Sequence, residues 1–333
     1  MRTNDLNRYA LSSCVFVATL AGCGGSQSPI GVPGAMAQSR AIAQHAARGK
    51  SWMLPEANGE DLIYAPGGCG GETCVLSYPK GKVVGVISWV GSPITGSGAC
   101  SDPSGNVFIS NNNEMAEYAH GGTTPIATLS LPGNNAFGCS IDPATGNLAV
   151  VFSSRNGDLA IFPHAQGTPI TYSSHLESFY CGYDNAGNLY VNGYSNGVRG
   201  FSEMTSGSGT FNKLSIDDSV GTPGQVQWDG SYITWQSIEE NHPKISRLSI
   251  SGSTATVVST TTLSGIGRRA MPTWIYGGKV VVPYSDHGAF ATFIGIWPYP
   301  AGGAPTKRIR KLKGYPKNQR SFLAATISVA PSR

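Results

Sequence analysis

Charge is scarce in this chain. Asp, Glu, Lys and Arg make up 13% of its 333 residues, and they balance to only +4. The residues that favour exposed helix faces are thin as well. Ser, Thr, Asn, Gly and Val fill the chain instead, with 44 Gly and 21 Pro, a mixture that argues against helices and for short strands joined by tight turns. So mild a net charge gives no basis for a nucleic-acid partner. Common catalytic signatures are missing too. There is no HExxH pair. Ser77-Tyr78-Pro79-Lys80 spells SxxK, but at a strand end and not on the helix that this chemistry requires. The seven cysteines include no paired CxxC of the kind that binds zinc. What is present is a hydrophobic content of 40%, sufficient for a packed core.

The N-terminus reads as an address. Arg2 and Arg8 precede an apolar run from Tyr9 to Ala21. That run is too short for a bilayer, which needs about 20 apolar residues, and has the length of a signal-peptide core. It ends in Leu20-Ala21-Gly22-Cys23, followed by Gly24, Gly25 and Ser26. This resembles the lipobox of bacterial lipoproteins, in which small residues admit the peptidase and the cysteine thiol receives a diacylglyceryl group. The resemblance implies a signal peptide over 1–22, lipidation at Cys23, a tether over 23–50 and a folded region over 51–333. Multiple acyl chains then hold the protein on a membrane. The protein is expected to be exported and anchored to the cell envelope. Gly24, in place of the aspartate that marks inner-membrane retention, favours the outer membrane where the cell has two.

The folded region repeats. Ala99–Ser110 reads ACSDPSGNVFIS, Gly138–Val151 reads GCSIDPATGNLAVV, and Cys181–Gly193 reads CGYDNAGNLYVNG. Their Gly-Asn pairs begin at Gly105, Gly146 and Gly187, about 41 residues apart. In each, Asp caps backbone N–H groups and Gly supplies a positive φ; Pro103 and Pro143 fix φ near −65° in the first two. Weaker copies follow, QVQWDGSYITWQ from Gln225 and TWIYGGKVVVPY from Thr273. Upstream, EDLIYAP from Glu60 reads as a second strand. Four short strands in a period of about 40–50 residues are the mark of a β-propeller. Second strands are expected near Asp61, Asn106, Asn147, Asn188, Ser231 and Lys279, which counts six blades.

The first repeat lacks an innermost strand, and the C-terminus has one too many. Ile327–Pro331 matches Cys139–Pro143, so the last strand is expected to complete the first blade and close the ring. The repeats resemble the NHL and gluconolactonase-type six-bladed propellers of the TolB-like superfamily over about Trp52–Ala330. The expected fold is thus all-β, a six-bladed β-propeller closed by its C-terminal strand.

Function is less legible, because propellers host unrelated activities. The a–b and c–d turns share one end of such a ring, and the b–c and d–a loops share the other. Asp102, Asp142, Asp184 and Asp229 fall in a–b turns, whose geometry accounts for them. His120 and His164 take equivalent c–d turns. Irregular loops on one face usually bind. Candidate ligand-binding residues there are Asn111, Glu114, Arg155, Arg199, Glu240, His242, Arg268, Asp286 and His287. No metal site is assigned. The gluconolactonase-type resemblance would imply a divalent cation such as calcium in the channel. Its Glu-Gly-Pro opening is absent, however, and the inner strands present Cys100, Cys139, Cys181, Ser140 and Gln227.

The leading reading is therefore a non-enzymatic envelope binding or scaffolding module without a cofactor. Its partners are the membrane and an unknown protein, glycan or small molecule. The alternative is a metal-dependent hydrolase of the lactonase or phosphotriesterase type. Cys69 and Cys74 flank a bend in an exported chain and read either as a disulfide or as two buried thiols. Cys100, Cys139 and Cys181 read as small apolar side chains between blades. The basic run Lys307–Lys313 reads as an outermost strand guarded by charge.

Overall fold

The computed structural model of the chain describes residues 50–88, 98–111, 113–133, 136–152, 158–238, 243–288, 290–310 and 312–331. Cys23, the tether up to residue 49, Arg155, Glu240 and His242 lie outside them. The described strands form five sheets, nearly all in antiparallel pairings.

The first sheet holds β1 (Trp52–Met53), β2 (Leu62–Cys69), β3 (Glu72–Ser77) and β4 (Val83–Ile87). The second holds β5 (Ala99–Ser101), β6 (Val107–Asn111), β7 (Glu114–Tyr118) and β8 (Ala127–Ser130). The third holds β9 (Ala136–Ile141), β10 (Leu148–Phe152), β11 (Asp158–Phe162) and β12 (Ile170–Ser173). The fourth has eight strands in two meanders. One is β13 (Glu177–Tyr183), β14 (Leu189–Ser195), β15 (Val198–Met204) and β16 (Asn212–Ile216). The other is β17 (Pro223–Trp228), β18 (Ile233–Ser237), β19 (Lys244–Ser251) and β20 (Thr254–Thr262). The fifth sheet holds β21 (Arg269–Ala270), β22 (Trp274–Tyr276), β23 (Lys279–Ser285), β24 (Phe293–Pro298) and β25 (Lys307–Ile309). The last strand, β26 (Thr326–Ser328), returns to the first sheet.

This is an all-β, propeller-like fold. It differs from six separate four-stranded blades in two respects. The meanders β13–β16 and β17–β20 are joined into one sheet by parallel pairing of their outer strands, Ser215 with Thr254 and Ile216 with Ala255. Edge strands carry unpaired N–H and C=O groups, and here two adjacent edges satisfy each other. β1 is a further departure, a short extra strand outside β4.

The repeat signature is explained by its turns. Asp102 accepts from the Asn106 backbone N–H at 2.8 Å and from Asn106 Nδ2 at 2.9 Å. Asp184 does the same with Asn188, both at 2.9 Å. The 142 turn is one residue longer, and there Thr145 Oγ1 takes the place of the amide at 2.5 Å. Gly105, Gly146 and Gly187 have φ of 89°, 72° and 79°, the left-handed region that glycine enters without a Cβ clash. The Asn also reaches the c–d turn, where Asn147 Oδ1 accepts from the His164 N–H and Asn188 Oδ1 from the Ser206 N–H, each at 3.0 Å.

Side chains alternate between faces along a strand, and here both faces are buried. Leu62 and Tyr64 pack with Val107 and Ile109 of the second sheet. Ile63 packs the other way, with Val281 and Ile294 of the fifth. Leu148 and Val150 face the second sheet, while Ala149 and Val151 face β13–β16. Val280 and Val282 face Ile245 and Leu263. Each sheet or meander is thus sandwiched between its two neighbours, and a middle strand such as Leu148–Phe152 reads as an unbroken apolar run.

The C-terminal strand closes this order. Leu62, Ile63 and Tyr64 pair with Ser328, Ile327 and Thr326. Ile327 is buried, whereas Val329 is only half-buried. Phe322 packs on Gly68, where any Cβ would lie 2.0 Å from the ring. The innermost strands then follow one another around an axis: β26 beside β5, β5 beside β9, then β13, β17, β22 and β26 again.

Candidate functional site at the axial mouth

Neighbouring inner strands share no main-chain ladder, so side chains and loops link them. Ser101 Oγ donates to the Ile327 carbonyl at 2.6 Å, tying β5 to β26. Ser140 Oγ accepts from the Tyr183 N–H at 3.0 Å, tying β9 to β13. Asn192 Nδ2, on β14, donates to the Gly224 carbonyl at 2.8 Å and ties that meander to β17. Gln227 holds β22 at both ends of its amide: Nε2 donates to the Ile275 carbonyl at 2.9 Å, and Oε1 accepts from the Ile275 N–H at 2.8 Å. The Ala325 N–H donates to the Pro272 carbonyl at 3.2 Å. The link between β5 and β9 is covalent, a Cys100–Cys139 disulfide.

That disulfide corrects the reading of Cys100 and Cys139 as packed thiols. They occupy the same register of consecutive repeats, which the ring sets 5.7 Å apart between Cα atoms, within disulfide reach. Cys181, one strand further on, is a buried thiol whose pKa is pushed up by burial. Cys69 and Cys74 are also joined, across the β2–β3 bend.

The inner strands all end at the a–b turns, and their last residues enclose a cavity of about 300 Å³ on the axis. Ser101 and Asp102, Ser140 and Ile141, Tyr183, Gln227 and Trp228, Trp274 and Tyr276, and Ile327 line it. Every inner strand contributes. Asp61 lies near Tyr276, whose ring meets Tyr78 edge-on at 5.9 Å. Burial, with the charge of Asp61, raises the Tyr276 pKa. A second cavity of about 340 Å³ lies at the same end between the second and third sheets, against Asp102, Glu117, Asp142 and His164. Burial raises the Glu117 carboxyl pKa, and the nearby Asp102 charge adds to it. It is bounded by two sheets only, so of these two cavities the axial mouth is the one that depends on the whole ring.

The residues expected to bind at the loop end are distributed differently. Asn111 is buried and pairs with Glu114 across the β6–β7 hairpin. Arg199 stands 3.8 Å from Asp218. Asp286 forms an ion pair with Arg310 at 3.3 Å, and its backbone lies against Gly267, beside Arg268. His287 is exposed. Among the described loop residues these are local pairs, blade by blade. Among the described residues no three His, Cys, Asp or Glu side chains stand close enough to share a metal.

The mouth aromatics escaped the sequence reading, although a signal existed. The residue just before the turn is Tyr183, Trp228 and Tyr276 in three successive repeats. Nothing in one repeat says that these positions converge.

The sequence matches no known family model and no curated protein. Its fold is similar to solved structures. A chain of a nidogen/laminin complex superposes with a TM-score of 0.63 at 12% identity, covering 82% of this chain and 100% of that one. A protein of unknown function from Bacteroides caccae gives 0.61 at 10% identity, covering 81% and 99%. Hydrazine synthase of Kuenenia stuttgartiensis gives 0.54 at 12% identity, covering 84% and 89%. At such identities the likeness is one of fold.

Proposed function

We propose that this chain is an exported, lipid-anchored module that binds a ligand or scaffolds a partner through a six-bladed β-propeller. The observation that carries the binding reading is the axial mouth, a concave and partly apolar site assembled from every inner strand. Small-molecule sites have this character, with volumes of about 300 Å³ upward. The count of six treats β13–β16 and β17–β20 as two blades. They share only the Ser215–Thr254 and Ile216–Ala255 pairings, and each has its own inner strand at the axis. The NHL and TolB-like resemblance of the repeats supports the same count.

Anchoring rests on Leu20-Ala21-Gly22-Cys23. Acyl chains on Cys23 would hold the module at the envelope, on the outer membrane in a cell with two. Metabolic labelling with a palmitate analogue tests this. The wild-type chain should take up label and shorten by its signal peptide. Cys23→Ser should remain an unlabelled precursor. Normal processing and labelling of that variant would overturn the anchor.

A further inference from the structure

The chemistry of the axial mouth indicates what it holds. Tyr183, Trp228, Trp274 and Tyr276 line it. The amide and serine groups of the lining are engaged within the protein. Both ends of the Gln227 amide are bonded to Ile275, the Ser101 hydroxyl donates to Ile327, and Ser140 Oγ accepts from Tyr183. The lining carries one charged side chain, Asp102, and no Lys, Arg or His among its described residues. Asp61 adds a second carboxylate behind Tyr276. An anion would therefore be repelled.

One common class of solute matches what remains. A trimethylammonium group donates and accepts no hydrogen bonds, is attracted to aromatic faces, and gains from a nearby carboxylate. We propose that the axial mouth binds a quaternary ammonium group, framed by Trp228, Trp274, Tyr276 and Tyr183 and balanced by Asp102. This rests on reading the chain as a binding module and names the ligand class of that same site. Free solutes such as choline and the headgroup of phosphatidylcholine share this chemistry.

The test titrates the full-length protein with choline, following tryptophan emission and heat. The uncharged isostere 3,3-dimethylbutan-1-ol serves as control. Choline should saturate and perturb the emission, with the isostere at least about tenfold weaker. Asp102→Asn can still accept from the Asn106 N–H. It should weaken choline about three- to tenfold and leave the isostere unchanged. Trp274→Leu should weaken choline about three- to thirtyfold, the range of one cation–π contact, with circular dichroism confirming the fold. Phosphatidylcholine vesicles that sediment with the protein, and are displaced by choline, would assign the headgroup as source; choline binding without vesicle binding would assign the free solute. Equal affinity for choline and its isostere would overturn the proposal, as would no saturation at millimolar choline. If another small molecule binds and is lost in Trp274→Leu, the binding-module reading stands while the ammonium assignment falls. Acyl labelling of Cys23 is independent of both.

Discussion

Asp229 shows how one side chain can join two sheets. It sits in the turn between β17 and β18 and accepts from the Ser231 and Tyr232 N–H groups at 3.0 and 2.9 Å. Its carboxylate also takes Arg247 Nε at 2.5 Å and the Tyr299 hydroxyl at 2.6 Å, and its side chain is fully buried. Arg247 in turn lies over the rings of Tyr299 and Tyr232 at 5.2 and 5.4 Å. Burial alone would raise the Asp229 pKa, but the donors from Tyr299, the turn and Arg247 outweigh it and leave it below the ordinary 3.8. A carboxyl with a depressed folded pKa stabilises the fold above its unfolded pKa, and that stability fades as pH falls through the folded value. Asp229→Asn should therefore flatten the loss of stability below about pH 4, measured by urea unfolding across pH. An unchanged acid slope would refute this role. Asp229→Ala, which strands Arg247 and the Tyr299 hydroxyl, should cost about 3–5 kcal/mol.

His120 acts in the opposite corner. Its Nδ1 lies 2.6 Å from Ser328 Oγ and its Nε2 3.2 Å from the Ala57 carbonyl, so this c–d turn residue fastens the closing strand. Burial lowers its pKa. It therefore adds to the same acid sensitivity, beginning below its ordinary value of 6.5.

At the scale of elements, the Cys100–Cys139 bond joins β5 to β9 and encloses a loop of 39 residues in sequence separation. Crosslinks of this span contribute about 2–4 kcal/mol, mostly by restricting the unfolded chain. The double variant Cys100→Ser with Cys139→Ser should melt roughly 3–7 °C lower than the wild type in scanning calorimetry. An unchanged melting temperature would mean that the bond does not form or does no structural work. Cys181, buried and with a raised pKa, should resist alkylation until the chain unfolds. Strands themselves were legible. The expected second strands near 61, 106, 147, 188, 231 and 279 begin at Leu62, Val107, Leu148, Leu189, Ile233 and Lys279, because turn chemistry is local and each turn signals its own boundary. The pairing of β16 with β20 was not legible, since exposed outer strands carry no pattern naming their neighbour.

For the whole molecule the decisive element is the C-terminal one. β26 pairs with β2 across nearly the full length of the described chain. Phe322 and Ile327 are buried in the layer between the fifth and first sheets. Ser328 Oγ also donates to the Gly105 carbonyl, and the Ala330 N–H to Asp61 at 2.9 Å. Deleting 321–333 would remove two large buried side chains, at about 1.5–3 kcal/mol each. Several hydrogen bonds would go with them, at about 0.5–1.5 kcal/mol each. Stability of a whole domain is about 5–15 kcal/mol, so the truncated chain should aggregate or be degraded. A truncated protein that melts cooperatively at the wild-type temperature would refute closure by this strand. The sequence determined the all-β class, the repeat, the strand starts and the strand that returns, because these follow from turn residues and alternation within short windows. The tertiary structure alone decided the disulfide between repeats, the fused eight-stranded sheet and the aromatic mouth. Each depends on residues about one repeat or more apart being brought around an axis, a distance over which no local propensity acts.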